Sequence, residues 1–168
     1  MWVEEDLHVE EYFCPFESEI NPRLYDLIVK APQNTEPPDN INAKMTDWHI
    51  ECDQLVDWVA ECIYKDFSVP PDTLKCSEVW GVLYNEGDFT TPHQHSPSLF
   101  SFAYYVNAPF GSAPLVFFTS NHKIYPEPGM LVVFESRLKH GVPPNHCRNR
   151  CMVAGNFIHA RDSGTYGL

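Results

Sequence analysis

Hydrophobic positions follow one rhythm over the first seventy residues and another over the rest. Leu7, Val9, Tyr12 and Phe13 stand among acidic residues and make a weak strand signal over 7–13. Asn21-Pro22 reads as an N-cap followed by a proline in the first helical position, with Leu24, Leu27 and Ile28 as the apolar stripe. The segment 31–42, APQNTEPPDNIN, has three prolines and no periodicity, and reads as a loop. Thr46 is placed to cap a longer helix over 47–66, with Asp47 at the positive end of its dipole. Trp48, Cys52, Leu55, Val56, Val59, Cys62, Ile63 and Phe67 recur at three- and four-residue steps along it. Ser68-Val69-Pro70-Pro71-Asp72 stops it.

After Pro71 the spacing shortens to two. Runs rich in aromatic and β-branched residues, divided by Gly, Pro and Asn, predict strands near 76–84, 99–106, 114–119, 130–135 and 150–158, with short pieces at 122–125 and 137–142. Helices first and strands afterwards point to an α+β fold, with helices packed on one side of a β-sandwich or jelly roll. The 168 residues suffice for one domain: helical support over 1–70 and a β core over 76–158.

Alternation also sorts side chains by face. Ser101, Ala103 and Tyr105 share one face and Phe100, Phe102 and Tyr104 the other; Arg150, Met152, Ala154 and Asn156 fall together, as do Trp80, Val82 and Tyr84. If the Phe100/Phe102 face meets the helices, the opposite face carries small and polar groups with an arginine among them. That is how a cavity is lined, rather than how a solid core is filled.

Composition narrows the function classes. A net charge of −12 disfavours duplex nucleic acid as a partner. No apolar run is long enough to span a membrane, and the acidic start Met1-Trp2-Val3-Glu4-Glu5-Asp6 lacks the features of a signal peptide, so a cytoplasmic setting is expected. Six cysteines could form a disulfide framework; but Cys52, Cys62 and Cys76 fall on apolar faces, and free thiols are the expectation.

The chemistry concentrates in Gly87-Asp88-Phe89-Thr90-Thr91-Pro92-His93-Gln94-His95, then Pro128-Gly129-Met130-Leu131-Val132-Val133-Phe134, then His140-Gly141-Val142-Pro143-Pro144-Asn145, then Arg150. His93 and His95, at i and i+2, can reach a single ion, and His140 from a later strand can complete one face of an octahedron.

In this order the motifs resemble the Fe(II)/2-oxoglutarate-dependent dioxygenases. They are most similar to a prolyl-hydroxylase-like group of bacterial and phage members with a PHxH motif, and the likeness spans 76–158. The resemblance implies a double-stranded β-helix (jelly roll) with supporting N-terminal helices, an Fe(II) cofactor, 2-oxoglutarate as cosubstrate, O2, and a prime substrate that is a peptide or small molecule. By the same resemblance His93 and His140 are the two histidines of the metal triad, Arg150 grips the distal carboxylate of 2-oxoglutarate, and Tyr105 and Tyr84 touch it too. Two positions depart from the family. His95 stands where a carboxylate is usual, leaving the ligand set without its anion, and Arg150-Cys151-Met152 lacks the usual serine two residues after the arginine.

Two other readings compete. One is a cupin-like jelly roll that binds metal through three histidines without 2-oxoglutarate. The other is a zinc site built by His140 with His146, Cys147 and Cys151. His8, His49, His122 and His159 read as structural or exposed.

Overall fold

The computed structural model describes residues 7–162. In chain order the elements are β1 (Val9–Phe13), α1 (Glu17–Lys30), β2 (Ile41–Asn42), β3 (Lys44–Met45), α2 (Asp53–Asp66), β4 (Leu74–Tyr84) and β5 (Phe89–His93). There follow β6 (Phe100–Asn107), β7 (Leu115–Phe117), β8 (His122–Ile124), β9 (Met130–Glu135), β10 (His140–Val142) and β11 (Arg150–His159). The strands form two antiparallel sheets. One has six strands in the order β1-β9-β6-β11-β4-β3 and the other five in the order β2-β5-β10-β7-β8.

Alternation along β4, β6, β9 and β11 decides what each face of the six-stranded sheet meets. Phe102, Tyr104, Leu131, Val133, Cys151 and Val153 are buried against Ile20, Leu24 and Ile28 of α1 and Leu55, Val59 and Ile63 of α2. Both helices therefore cover the Phe100/Phe102 face, as the pattern indicates. Gly81 is needed here: a Cβ on it would lie 2.4 Å from Ile28 Cγ1, so only glycine lets α1 settle so closely on β4. The opposite face packs against the five-stranded sheet, with Trp80, Val82, Ala103, Val132 and Met152 meeting Leu115, Phe117 and Val142.

The N-terminal elements differ from the sequence expectation in three respects. First, α1 begins at Glu17, one turn before Asn21-Pro22, so Pro22 lies inside the helix and Asn21 is no cap. The carbonyl that Pro22 cannot satisfy belongs to Ser18, an exposed residue that water can reach, and the Asn21 side chain instead accepts a 2.6 Å bond from the Tyr104 hydroxyl. Second, Thr46 does not cap α2, which starts at Asp53 behind Cys52. The Thr46 hydroxyl accepts the Gly81 N–H at 3.0 Å, and the chain from 46 to 50 runs along β4, with Ile50 N–H donating to Val79 and Val79 N–H to Trp48. Trp48 consequently leaves the helical stripe and packs edge-on against Trp80, ring centroids 5.1 Å apart. Third, the loop read over 31–42 ends in β2, with β3 just beyond it, and the two strands join different sheets.

All six cysteines are unpaired. No helix of the described residues is long and apolar enough to cross a membrane.

Candidate metal centre

His140 on β10 lies directly opposite His93 on β5 in the antiparallel register, with Phe117 of β7 as its neighbour on the other side. Between these strands the register slips: His140 faces His93, but Val142 faces Thr90. Gly141 on β10 thus opposes two residues on β5, a bulge at Thr91-Pro92 that lets Thr90 and His93 line the same interior. His95 lies just past the end of β5, anchored by its N–H to the Ser136 carbonyl at 2.8 Å.

The three imidazoles converge. Their ligating nitrogens lie within 4.8 Å of one another, and His93 Nε2 and His95 Nε2 are 3.1 Å apart. Two nitrogens bound cis at about 2.1 Å from one ion would sit about 3 Å apart, so this spacing suits a shared ion. Thr91 and Leu138 fix the tautomers. Their carbonyls can only accept, so His93 Nδ1 and His140 Nδ1 each donate at 2.8 Å, which leaves each Nε2 lone pair facing the centre. Burial holds all three rings neutral. His93 and His95 are shifted below the ordinary histidine value, His95 well below it with help from its two neighbours. His140 is lowered to about 3 by burial and then by His93. A neutral imidazole is the form that binds metal.

Farther into the same interior lies Arg150, which is 0% exposed. Its Nε donates to the Ala113 carbonyl at 3.0 Å, its Nη1 meets Met152 Sδ at 3.6 Å, and its Nη2 has no partner. The guanidinium carbon sits 4.5 Å from the centre of the Tyr84 ring and 5.3 Å from that of Tyr105. The Tyr105 hydroxyl, equally buried, also lacks a partner, whereas the Tyr84 hydroxyl is bound to Thr90 Oγ1 at 2.6 Å. Burial raises both phenols against the pull of the Arg150 cation, Tyr105 to about 12, so each remains a neutral O–H near pH 7. No carboxylate among the described residues pairs with Arg150, although burying an unpaired cation is costly.

A cavity of about 50 Å³ is lined by His93, His95, His140, Tyr84, Thr90 and Trp80, among others, and Tyr84, whose ring stacks on Arg150, joins it to the arginine cradle. The structure therefore gathers all six residues singled out in the sequence. It does not gather the alternative zinc set: Cys151 points to the helix-covered core, and the histidine triad is the ligand cluster found among the described residues.

Three further residues shape the site. Thr90 escaped alternation because the bulge reverses its face. Asn145 is fully buried and clamps the loops beneath Arg150: its Nδ2 donates to the Cys147 carbonyl at 2.8 Å and its Oδ1 accepts the Ala113 N–H at 2.9 Å. It thereby holds the residue whose carbonyl receives Arg150 Nε. Its place at the end of the His140 motif was the only cue. Ser136, whose carbonyl anchors His95, carried no sequence signal.

No family model and no curated protein sequence matches the chain. Solved structures do. A viral collagen prolyl hydroxylase from Paramecium Bursaria Chlorella virus-1, in complex with 2-oxoglutarate, superposes with a TM-score of 0.69 at 18% identity, covering 89% of this chain and 94% of that one. A Pseudomonas putida prolyl-4-hydroxylase gives 0.70 at 20% identity, covering 91% and 93%. An oxidoreductase of the 2OG-Fe(II) oxygenase family from Burkholderia pseudomallei gives 0.67 at 12% identity, covering 89% and 84%. The chain has the fold of these oxygenases. Among them, two of the three are prolyl hydroxylases.

Proposed function

We propose that this chain is a non-haem Fe(II)- and 2-oxoglutarate-dependent oxygenase built on a double-stranded β-helix. The observation that carries the reading is the buried, acid-free Arg150 with one arm unpartnered beside the unpartnered Tyr105 hydroxyl, in the same interior as three metal-competent imidazoles. The likeness of fold to 2-oxoglutarate oxygenases supports it.

In this reading His93, His95 and His140 hold the ion through Nε2. Arg150 and Tyr105 bind the distal carboxylate of 2-oxoglutarate by charge-assisted hydrogen bonds. Tyr84, held by Thr90, stacks on the guanidinium and keeps it aimed. Val82, Leu115, Phe134 and Met152 keep the space between the two ends apolar, which strengthens each of these contacts by excluding water. When bound, Fe(II) and 2-oxoglutarate supply O2-dependent oxidative decarboxylation to succinate and CO2, coupled to hydroxylation of the prime substrate. A peptide substrate is favoured over a small molecule by the prolyl hydroxylases among the structural neighbours. A cytoplasmic setting agrees with the six unpaired cysteines.

The test is an anaerobic titration of 2-oxoglutarate into the Fe(II)-loaded protein, following the weak visible charge-transfer band of the chelate, with succinate release measured on admitting air. A band and saturable binding are expected. No band and no binding at millimolar 2-oxoglutarate would sink the proposal in favour of a cupin-like metal-binding protein.

A further inference from the structure

Three buried side-chain nitrogens or oxygens lack a hydrogen-bond partner among the described residues, and only two of them belong to the Arg150 cradle. The third is Trp80 Nε1. Trp80 is 3% exposed, lines the cavity with the three histidines, and lies with its ring centroid 6.0 Å from that of His95. It is separated from Tyr84 by four residues on the same face of β4, roughly 13 Å along the strand. The orphan donors therefore stand at two stations of one interior, Arg150 and Tyr105 at the far end and Trp80 beside the metal ligands.

An indole N–H can only donate. Left unpaired in the interior it destabilises the fold, so a partner is expected in the working protein. Its neighbour His95 cannot serve once its Nε2 holds an ion. The sheet does not offer a carbonyl, and the ring is held in place by Trp48 on one side and by the β11 strand, where Ala154 lies opposite. The acceptor must therefore arrive with the ligand. Because the N–H is sealed from solvent, it must be a group lodged inside the barrel and not one docked at the surface.

Resting on the oxygenase reading, we infer that Trp80 is a cosubstrate-binding residue whose Nε1–H donates to the metal-side carboxylate of 2-oxoglutarate. It fixes the end of the molecule that Arg150 does not reach. With a neutral His95 in the ligand set, that carboxylate is the anion brought to the ion, and a positioned donor stabilises it by a charge-assisted bond.

The experiment measures Fe(II) retention and anaerobic 2-oxoglutarate affinity in wild type, Trp80→Phe, Trp80→His, Arg150→Lys and the Trp80→Phe/Arg150→Lys pair. Phenylalanine keeps an aromatic ring and removes the donor, whereas histidine returns an N–H. The expected result is about a tenfold loss of 2-oxoglutarate affinity in Trp80→Phe, the scale of one hydrogen bond to a charged acceptor, with Fe(II) retention unchanged. Trp80→His recovers part of the loss. The two single-variant factors multiply in the double variant, because the two residues are far apart and contact different carboxylates of the ligand. Equal affinity in Trp80→Phe and wild type would overturn the inference and leave the oxygenase reading standing. So would a parallel loss of Fe(II), which would mark Trp80 as structural, or a double variant no weaker than Arg150→Lys alone. Absence of 2-oxoglutarate binding in wild type would remove the oxygenase reading, and this inference with it.

Discussion

The two faces of the six-stranded sheet are built from the same strands and obey opposite rules. Toward the helices, Phe102, Tyr104, Leu131, Val133 and Val153 close against α1 and α2, and the one polar group among them, the Tyr104 hydroxyl, is paired with Asn21. Toward the other sheet, alternate residues of the same strands leave Trp80 Nε1, Tyr105 Oη and Arg150 Nη2 buried without partners. The helix face keeps the chain folded. The inner face gives up part of that stability by burying groups that the chain itself leaves unpartnered, and a strand pleat alone separates the two.

Four substitutions or titrations would break or sharpen this contrast. The largest effect is expected from Leu131→Ala, which empties a fully buried position under the helices. It should destabilise the fold by about 2–5 kcal/mol in denaturant unfolding while leaving the 2-oxoglutarate affinity of the folded fraction unchanged. A loss of affinity without a loss of stability would show that the two faces are not separable.

Titration should distinguish the faces next. In the metal-free protein the unfolded His140 takes a proton below about 6.5, while the folded one stays neutral to about 3. The unfolded state then binds more protons, so stability is intact above pH 6.5 and is lost progressively toward about 3, by a few kcal/mol on the order of magnitude. The helix face has the opposite sign: burial raises Cys52 to about 12 and Cys62 to about 11, so stability contributed there falls as pH rises beyond the ordinary thiol range. Thermal unfolding from about pH 3 to about pH 11 reads both limbs. Replacing His140 with Gln should make the acid limb shallower without abolishing it, because His93 and His95 are shifted in the same direction, and should leave the alkaline limb unchanged.

Arg150→Lys keeps the charge but loses the planar fork, so 2-oxoglutarate should bind about 10- to 150-fold more weakly, the ~1.5–3 kcal/mol of a charge-assisted bond, with metal content unaltered. Stability should fall by about 1–3 kcal/mol, the scale of the lost Arg150 Nε bond to the Ala113 carbonyl, and no further, since the wild-type cation has no acid to lose. The smallest effect belongs to Tyr105→Phe. Removing a hydroxyl that has no partner in the free protein should leave unfolding unchanged or slightly improved, and weaken 2-oxoglutarate by about 3- to 10-fold. A Tyr105→Phe variant less stable than wild type would mean that the hydroxyl is satisfied without a ligand. Calorimetric titration beside thermal melts checks both substitutions.

Much of this arrangement is legible before folding. Apart from β5, which no expected strand covered, the strands from β4 onward lie within a few residues of their expected ends because period-two alternation of large apolar residues has few other solutions. The inward set of Tyr84, Tyr105 and Arg150 follows from the same alternation. Where the backbone departs from regularity the pattern misleads. The bulge at Thr91-Pro92 brings Thr90 to the Tyr84 hydroxyl, and nothing in the local pattern announces it. Pro22 reads as a helix start because isolated helices disfavour an interior proline, but the burial of Ile20 one residue before Asn21 recruits the preceding turn. Thr46 has the chemistry of a cap, and the edge of β4 outcompeted the helix for it.

The amino-acid sequence by itself therefore determined which side chains share a face, how many apolar layers the chain must cover, and which histidines and arginine the proposed chemistry rests on. Those properties are local: residue type and spacing suffice. The tertiary structure alone decided that His140 lies opposite His93, that Asn145 braces the carbonyl receiving Arg150, and that Trp80 keeps an unpaired N–H beside the histidine triad. Register and the satisfaction of hydrogen bonds are set between segments far apart in the chain. A missing partner becomes visible only when every neighbour has been placed.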